Sequence, residues 1–201
     1  LAGVNSVDPA SIPLPLPTRS TAPNGRRGGP IALVGLPGSG KSSVARLLAD
    51  RLGRRWVDLD ERLELVTGQT VTELFAEGED RFRTLETEVL RGVLAVPTGV
   101  VVATGGGVVT NQLNRSVLAT RATVVWLDVP VERLLDRLAA DQTDRPLLND
   151  GDPAIKLGAL AEVRRPLYEQ VATHRVDASA DPEAVVLAVE QVLAGPVASA
   201  S

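Results

Sequence analysis

The run Ile31-Ala32-Leu33-Val34 leads directly into Gly35-Leu36-Pro37-Gly38-Ser39-Gly40-Lys41-Ser42. Ser43 to Leu52 follow, with Val44, Leu47, Leu48 and Leu52 at helical spacing. A short apolar strand, a glycine-rich turn and an amphipathic helix are therefore fused without a linker. The turn has the form G-x-x-x-x-G-K-[ST], which needs this strand-to-helix context to work. Glycines let successive backbone N–H groups face a phosphate without Cβ clashes. The positive end of the helix dipole points at the same spot. Lys41 is placed to reach the β- and γ-phosphates, and the Ser42 hydroxyl to ligate Mg²⁺. The loop implies a nucleoside triphosphate and leaves open what the triphosphate is used for.

Composition narrows the rest. The chain has 201 residues, enough for one domain with a real core. Its formal net charge is −4 and no basic stripe is visible, so nucleic acid is not an expected partner. Cysteine is absent, which excludes disulfides, thiolate metal sites and a cysteine nucleophile, and fits a cytoplasmic protein. Lysine occurs only at Lys41 and Lys156, so Lys41 is not one of a solvated lysine face. No apolar run approaches the ~18–20 residues of a membrane span. Residues 1–29 are broken by Pro9, Pro13, Pro15, Pro17 and Pro23 and read as a disordered tail; 195–201 read as a flexible one.

Between the tails, strand-type runs alternate with helical segments. The later strands are expected at 55–58, 99–104, 123–128 and 172–176. The later helices are expected at about 61–66, 71–76, 79–95, 111–119, 131–140, 153–171 and 182–194. Continuous apolar strands between amphipathic helices predict a parallel sheet covered on both faces, with right-handed crossovers. Ligands in such sheets collect at the carboxyl ends of the strands.

The second strand ends in Asp58-Leu59-Asp60. Extended backbone would point both carboxylates the same way, one toward the metal and one toward a substrate hydroxyl. Asp60 also suits the N-cap of the helix expected at Glu61. The third strand ends in Thr104-Gly105-Gly106-Gly107, a stretch where backbone approaches a ligand or another helix closely. The fourth ends in Asp128, explained by a simple cap for the helix at 131–140, so the metal-side carboxylate is assigned to Asp58. Arg83 and Glu86 share a helical face, either as a surface ion pair or as a buried fork for a carboxylate. Arg145, in the polar stretch 141–151, is of lid type. Arg164 and Arg165 precede Pro166-Leu167-Tyr168. Arg175 follows His174, the sole histidine, which is given no role.

Taken in order, the phosphate loop, Asp58-Leu59-Asp60, Phe82-Arg83 with Glu86, Gly105-Gly106-Gly107, Arg145-Pro146-Leu147-Leu148, Arg164 with Pro166-Leu167-Tyr168 and Val171 to Asp177 resemble shikimate kinase from about Pro30 to Leu193. The resemblance implies an α/β P-loop NTPase of the nucleoside-monophosphate-kinase type. That fold is a three-layer sandwich with a five-stranded parallel sheet in the order 2-3-1-4-5 and a mobile lid, here within a domain spanning 30–194. It implies transfer of the ATP γ-phosphoryl to the 3-hydroxyl of shikimate, a step toward chorismate and the aromatic amino acids, by a monomer using Mg²⁺. By the same resemblance Gly38, Ser39, Gly40, Lys41, Ser42 and Ser43 wrap the phosphates, and Ser42 ligates Mg²⁺. Lys41 and Arg145 stabilise the transferred group, and Arg145 and Arg175 attend the nucleotide. Asp60 binds the shikimate hydroxyls as base. Arg83 and Arg164 hold its carboxylate, and the Gly105-Gly106-Gly107 turn meets the substrate through the Gly106 N–H. Arg165 departs from the small residue common in the family, so two arginines compete for one role. Ser43 stands for the commoner threonine. A gluconate kinase of the same fold would need neither the triple-glycine turn nor this arginine set. A GTPase switch would need an Asn-Lys-x-Asp guanine reader, which neither Lys41 nor Lys156 supplies.

Overall fold

A computed structural model describes residues 28–96, 99–140 and 152–195. The expected tails and the lid segment 141–151, with Arg145, lie outside these residues, except for Gly28, Gly29 and Gly195. Five parallel strands form one sheet: β1 Ile31–Val34, β2 Arg55–Asp58, β3 Val100–Ala103, β4 Thr123–Asp128 and β5 His174–Asp177. Their order is β2-β3-β1-β4-β5, as the family resemblance implies. On β1, Ala32 pairs with Val102 on one side and Val124 on the other. All four residues of β1 and of β3 are buried, because helices cover both faces of the sheet.

Among the described residues eight α-helices connect and flank the strands: α1 Lys41–Leu52, α2 Leu59–Thr67, α3 Val71–Ala76, α4 Glu79–Leu94, α5 Gln112–Arg121, α6 Val131–Ala140, α7 Pro153–Val171 and α8 Pro182–Ala194. Val44, Ala45, Leu48 and Ala49 form the buried face of α1. Burying one such leucine or valine stabilises the fold by about 2 kcal/mol. Arg51 of α1 pairs with Glu190 of α8 at 2.7 Å. No helix of the described residues is long and apolar enough to cross a membrane.

Two expectations are corrected. Asp60 does not cap the helix after β2. That helix starts earlier, at Leu59, with Asp58 as N-cap accepting from the Asp60 N–H at 2.9 Å. The pair is therefore not two residues of an extended strand: Asp58 sits at the turn and Asp60 in the first helical turn. Nor does Asp128 serve as a plain cap for α6. Its carboxylate takes Arg165 Nη2 at 2.7 Å on Oδ1 and Arg175 Nη2 at 2.5 Å on Oδ2.

Candidate active site

The phosphate loop crosses from β1 to α1 through Gly38 at φ 81° and Gly40 at φ 85°. Both values lie in the left-handed region that favours glycine. Gly40 is also the N-cap of α1, so the first N–H groups of the helix, which have no intrahelical acceptor, open onto the loop's concave side. Lys41 Nζ donates to the carbonyls of Gly35 at 3.0 Å and Leu36 at 2.9 Å, and to Ser39 Oγ at 3.3 Å. The buried Ser39 thus supports the lysine from beneath the loop. Ser42 Oγ donates to Asp58 Oδ2 at 2.5 Å, which joins the helix start to the end of β2.

One cavity of about 920 Å³ brings most of the predicted set together. Gly38, Gly40, Lys41, Ser42 and Ser43 line one end, and Asp58 and Asp60 the side. Arg83, Glu86, Gly105, Gly106, Gly107 and Arg164 line the other end. The site lies at the carboxyl edge of the sheet, where β1, β2 and β3 terminate.

At the far end, opposite charges are held in low dielectric. Glu86 is 3% exposed and accepts from Arg83 Nη1 at 3.1 Å. Glu79 takes Arg83 Nη2 at 2.9 Å. The Arg83 guanidinium also lies over the stacked rings of Phe75 and Phe82, 5.5 and 5.1 Å from their centroids. It is oriented on three sides. Burial pushes the Glu86 carboxyl up to about 7 in spite of Arg83 beside it. Arg164 is 4% exposed. Burial lowers its pKa, the Tyr168 oxygen opposes this, and the nearby positive charge of Arg83 adds to the lowering. Glu86 Oε1 and Arg164 Nη1 are both buried without a hydrogen-bond partner among the described residues. A guanidinium N–H with no acceptor, beside a second arginine, is suited to a carboxylate, which binds arginine forks bidentately.

The triple glycine answers a packing demand, since none of its members has a positive φ. A Cβ on Gly105 would stand 2.9 Å from Glu86 Oε1 and 3.0 Å from Asp60 Oδ1. One on Gly106 would stand 3.0 Å from Pro37 Cδ, and one on Gly107 2.5 Å from Arg83 Nη1. The turn is therefore in contact with the carboxylates, the phosphate loop and the arginine together. Its Gly106 carbonyl accepts from Tyr168 Oη at 2.5 Å.

Arg165 and Arg175 fall elsewhere. With Asp128 they line a second cavity of about 700 Å³ between α6 and α7, not the one lined by the phosphate loop. The Arg175 guanidinium rests over the Trp126 ring, 4.6 Å from its centroid. Two further lining residues, Arg137 and Thr104, are given no site role by the sequence reading. Arg137 of α6 borders the phosphate loop and donates to the carbonyls of Ala178, Ser179 and Ala180 at 2.9, 3.1 and 2.9 Å. It ties the β5–α8 connection to the cavity rim. Its acceptors are backbone atoms about forty positions away, which no local pattern reveals. Thr104 donates to the Leu33 carbonyl at 2.9 Å and fixes the end of β3 to β1.

Comparison with known proteins agrees with this geometry. The family model described as shikimate kinase matches residues 37–194. The shikimate kinase of Synechococcus elongatus is 46% identical over 163 residues, covering 80% of this chain and 84% of that protein. That of Symbiobacterium thermophilum is 48% identical over 148 residues, covering 73% and 84%. Among solved structures, shikimate kinase from Acinetobacter baumannii in complex with shikimate superposes with a TM-score of 0.79 at 40% identity, covering 82% of this chain and 92% of that one. A gluconokinase from Sinorhizobium meliloti superposes with a TM-score of 0.54 at 20% identity, covering 85% of this chain and 99% of that one; this is a likeness of fold alone. On family model, sequence and structure alike, this chain belongs to the shikimate kinase family.

Proposed function

We propose that the chain transfers the γ-phosphoryl group of ATP to the 3-hydroxyl of shikimate, giving shikimate 3-phosphate and ADP on the route to the aromatic amino acids. The observation that carries this reading is the single cavity in which the phosphate loop faces Asp60, Arg83 and Arg164. A cyclic polyol carboxylate matches that far end: arginine forks for its anion and an aspartate acceptor for its hydroxyls. Arg83 and Arg164 hold the carboxylate, and the Gly106 N–H borders the ring. Asp60 accepts the hydroxyl proton as the oxygen attacks the γ-phosphorus and the bond to the β-bridging oxygen breaks. Lys41 meets the charge that develops on the phosphates. Arg145, outside the described residues, and Arg175 are assigned to the nucleotide by resemblance. Arg175 would reach it only from the second cavity, and Arg137 stands nearer the loop.

Ser42 Oγ and Asp58 Oδ2 are hard oxygen donors already 2.5 Å apart at the phosphate end. They fit Mg²⁺, which binds through one or two protein oxygens and completes its shell with water and phosphate. Held by Ser42 and Asp58, Mg²⁺ would supply positive charge against the triphosphate. By the family resemblance the enzyme is assigned as a monomer, and the soluble acceptor suits a cytoplasmic enzyme. ADP release with ATP and Mg²⁺ should depend on shikimate and not on gluconate. Equal rates with shikimate, with gluconate and with no acceptor would remove the reading.

A further inference from the structure

Tyr168 is fully buried, its ring 6.0 Å from that of Trp126. Its hydroxyl lies between two parts of the active site that share no chain segment. It donates to the Gly106 carbonyl at 2.5 Å and lies beside the buried Arg164 guanidinium, which comes from one helical turn earlier on α7. Gly106 in turn stands against Pro37 of the phosphate loop. Among the described residues Arg164 Nη1 has no hydrogen-bond partner, and the nearby charge of Arg83 repels the guanidinium. We infer that Tyr168 is the positioning residue of the acceptor site: its hydroxyl sets the guanidinium of Arg164 and the Gly106 turn in register for the acceptor carboxylate and ring. The inference rests on the acceptor reading of this cavity. A phenol suits the task because one O–H can donate to a carbonyl while its lone pair accepts from an arginine. Burial holds the phenol well above its ordinary pKa, so the donor proton is retained.

Tyr168→Phe keeps the ring against Trp126 and removes only the hydroxyl. Losing the buried hydrogen bond to the Gly106 carbonyl, and with it the polar contact with Arg164, should raise the shikimate KM about 10-fold. The ATP KM and kcat should change less than about two-fold, since Tyr168 does not line the cavity shared by the phosphate loop and Asp60. On an Arg164→Lys background the same substitution should change the KM far less, because its effect runs through Arg164. A general packing defect would instead give equal effects in both backgrounds. Tyr168 is the only tyrosine, which permits a second measurement on the native fold. Biosynthetic 3-fluorotyrosine gives one fluorine NMR signal, which should shift on titration with shikimate and not with gluconate. A shikimate-dependent wild type with an unchanged KM in Tyr168→Phe, or a fluorine signal unmoved at saturating shikimate, overturns the role alone. A wild type with no shikimate dependence overturns the acceptor reading and the role together.

Discussion

Arg164 and Arg165 are adjacent in α7 and serve different cavities. Arg164 is buried among Arg83, Glu86 and Tyr168, whereas Arg165 reaches Asp128 Oδ1 at 2.7 Å and the Val129 carbonyl at 2.9 Å. Consecutive helical residues are rotated by about 100°, and in α7 that rotation turns these two side chains into different cavities. Of the two, only Arg164 lines the cavity that holds the phosphate loop.

Arg164→Ala should therefore raise the shikimate KM by about 10- to 100-fold, the range for losing charge-assisted hydrogen bonds. Arg165→Ala, which loses a partly exposed ion pair, should change it by less than about three-fold. Steady-state kinetics at saturating ATP decides between them. A larger effect from Arg165→Ala would move the anchor by one residue.

Asp60→Asn should lower kcat by about 10²–10⁴, the usual contribution of a general base. Nucleotide affinity should survive, because the loop contacts of Lys41 and the Ser42–Asp58 bond do not involve Asp60. Single-turnover assays with isothermal titration of ADP separate the two. An unchanged kcat would exclude Asp60 as the base.

The strands and most helices were legible because their apolar spacing is local, and the phosphate loop because its residues are consecutive. The identity of the far-end residues was legible as well, but what each one touches was not. Asp60 and Asp58 exchange the capping role because α2 begins two residues earlier than its apolar period suggests. Asp128 looked like a cap, but its two arginine partners lie 37 and 47 residues away. Arg137 and Tyr168 act on backbone carbonyls, which carry no sequence signature. Local pattern reveals elements and residue types; the pairing of distant polar groups emerges only when the sheet edge assembles.

Glu86 gives a pH signature. Its folded pKa of about 7 lies above its ordinary value of 4.5. Below pH 4.5 the group is protonated in both the folded and the unfolded chain. Between 4.5 and 7 only the unfolded chain releases the proton, so stability falls as pH rises, and the loss is complete above 7. The full change is about 3 kcal/mol. Glu86→Gln cannot ionise and should lack that slope. Denaturant titrations from pH 4.5 to 8 should thus shift the stability difference toward the variant by about that amount. Parallel pH profiles would show that Glu86 titrates near its ordinary value.

Gly107→Ala separates stability from binding at one atom. Its new methyl would stand 2.5 Å from Arg83 Nη1 and 2.6 Å from Nη2. These are the far ends of a flexible side chain, so relief comes by moving the guanidinium and leaves the core alone. Gly107 has φ −93° and ψ −2°, values open to alanine. The fold should therefore hold, with Tm falling by no more than a few degrees, the shift expected of a loss near 1 kcal/mol. Arg83, however, would leave the position set by Glu79, Glu86 and the two phenylalanine rings. A displacement of about 1 Å in a substrate-positioning group can cost up to 10²-fold. The shikimate KM should rise at least about 10-fold, with the ATP KM within two-fold. Differential scanning calorimetry and acceptor-dependent kinetics on one preparation test both halves. A large drop in Tm with an unchanged acceptor KM would mean that the glycine serves backbone packing and that the arginine has room to spare.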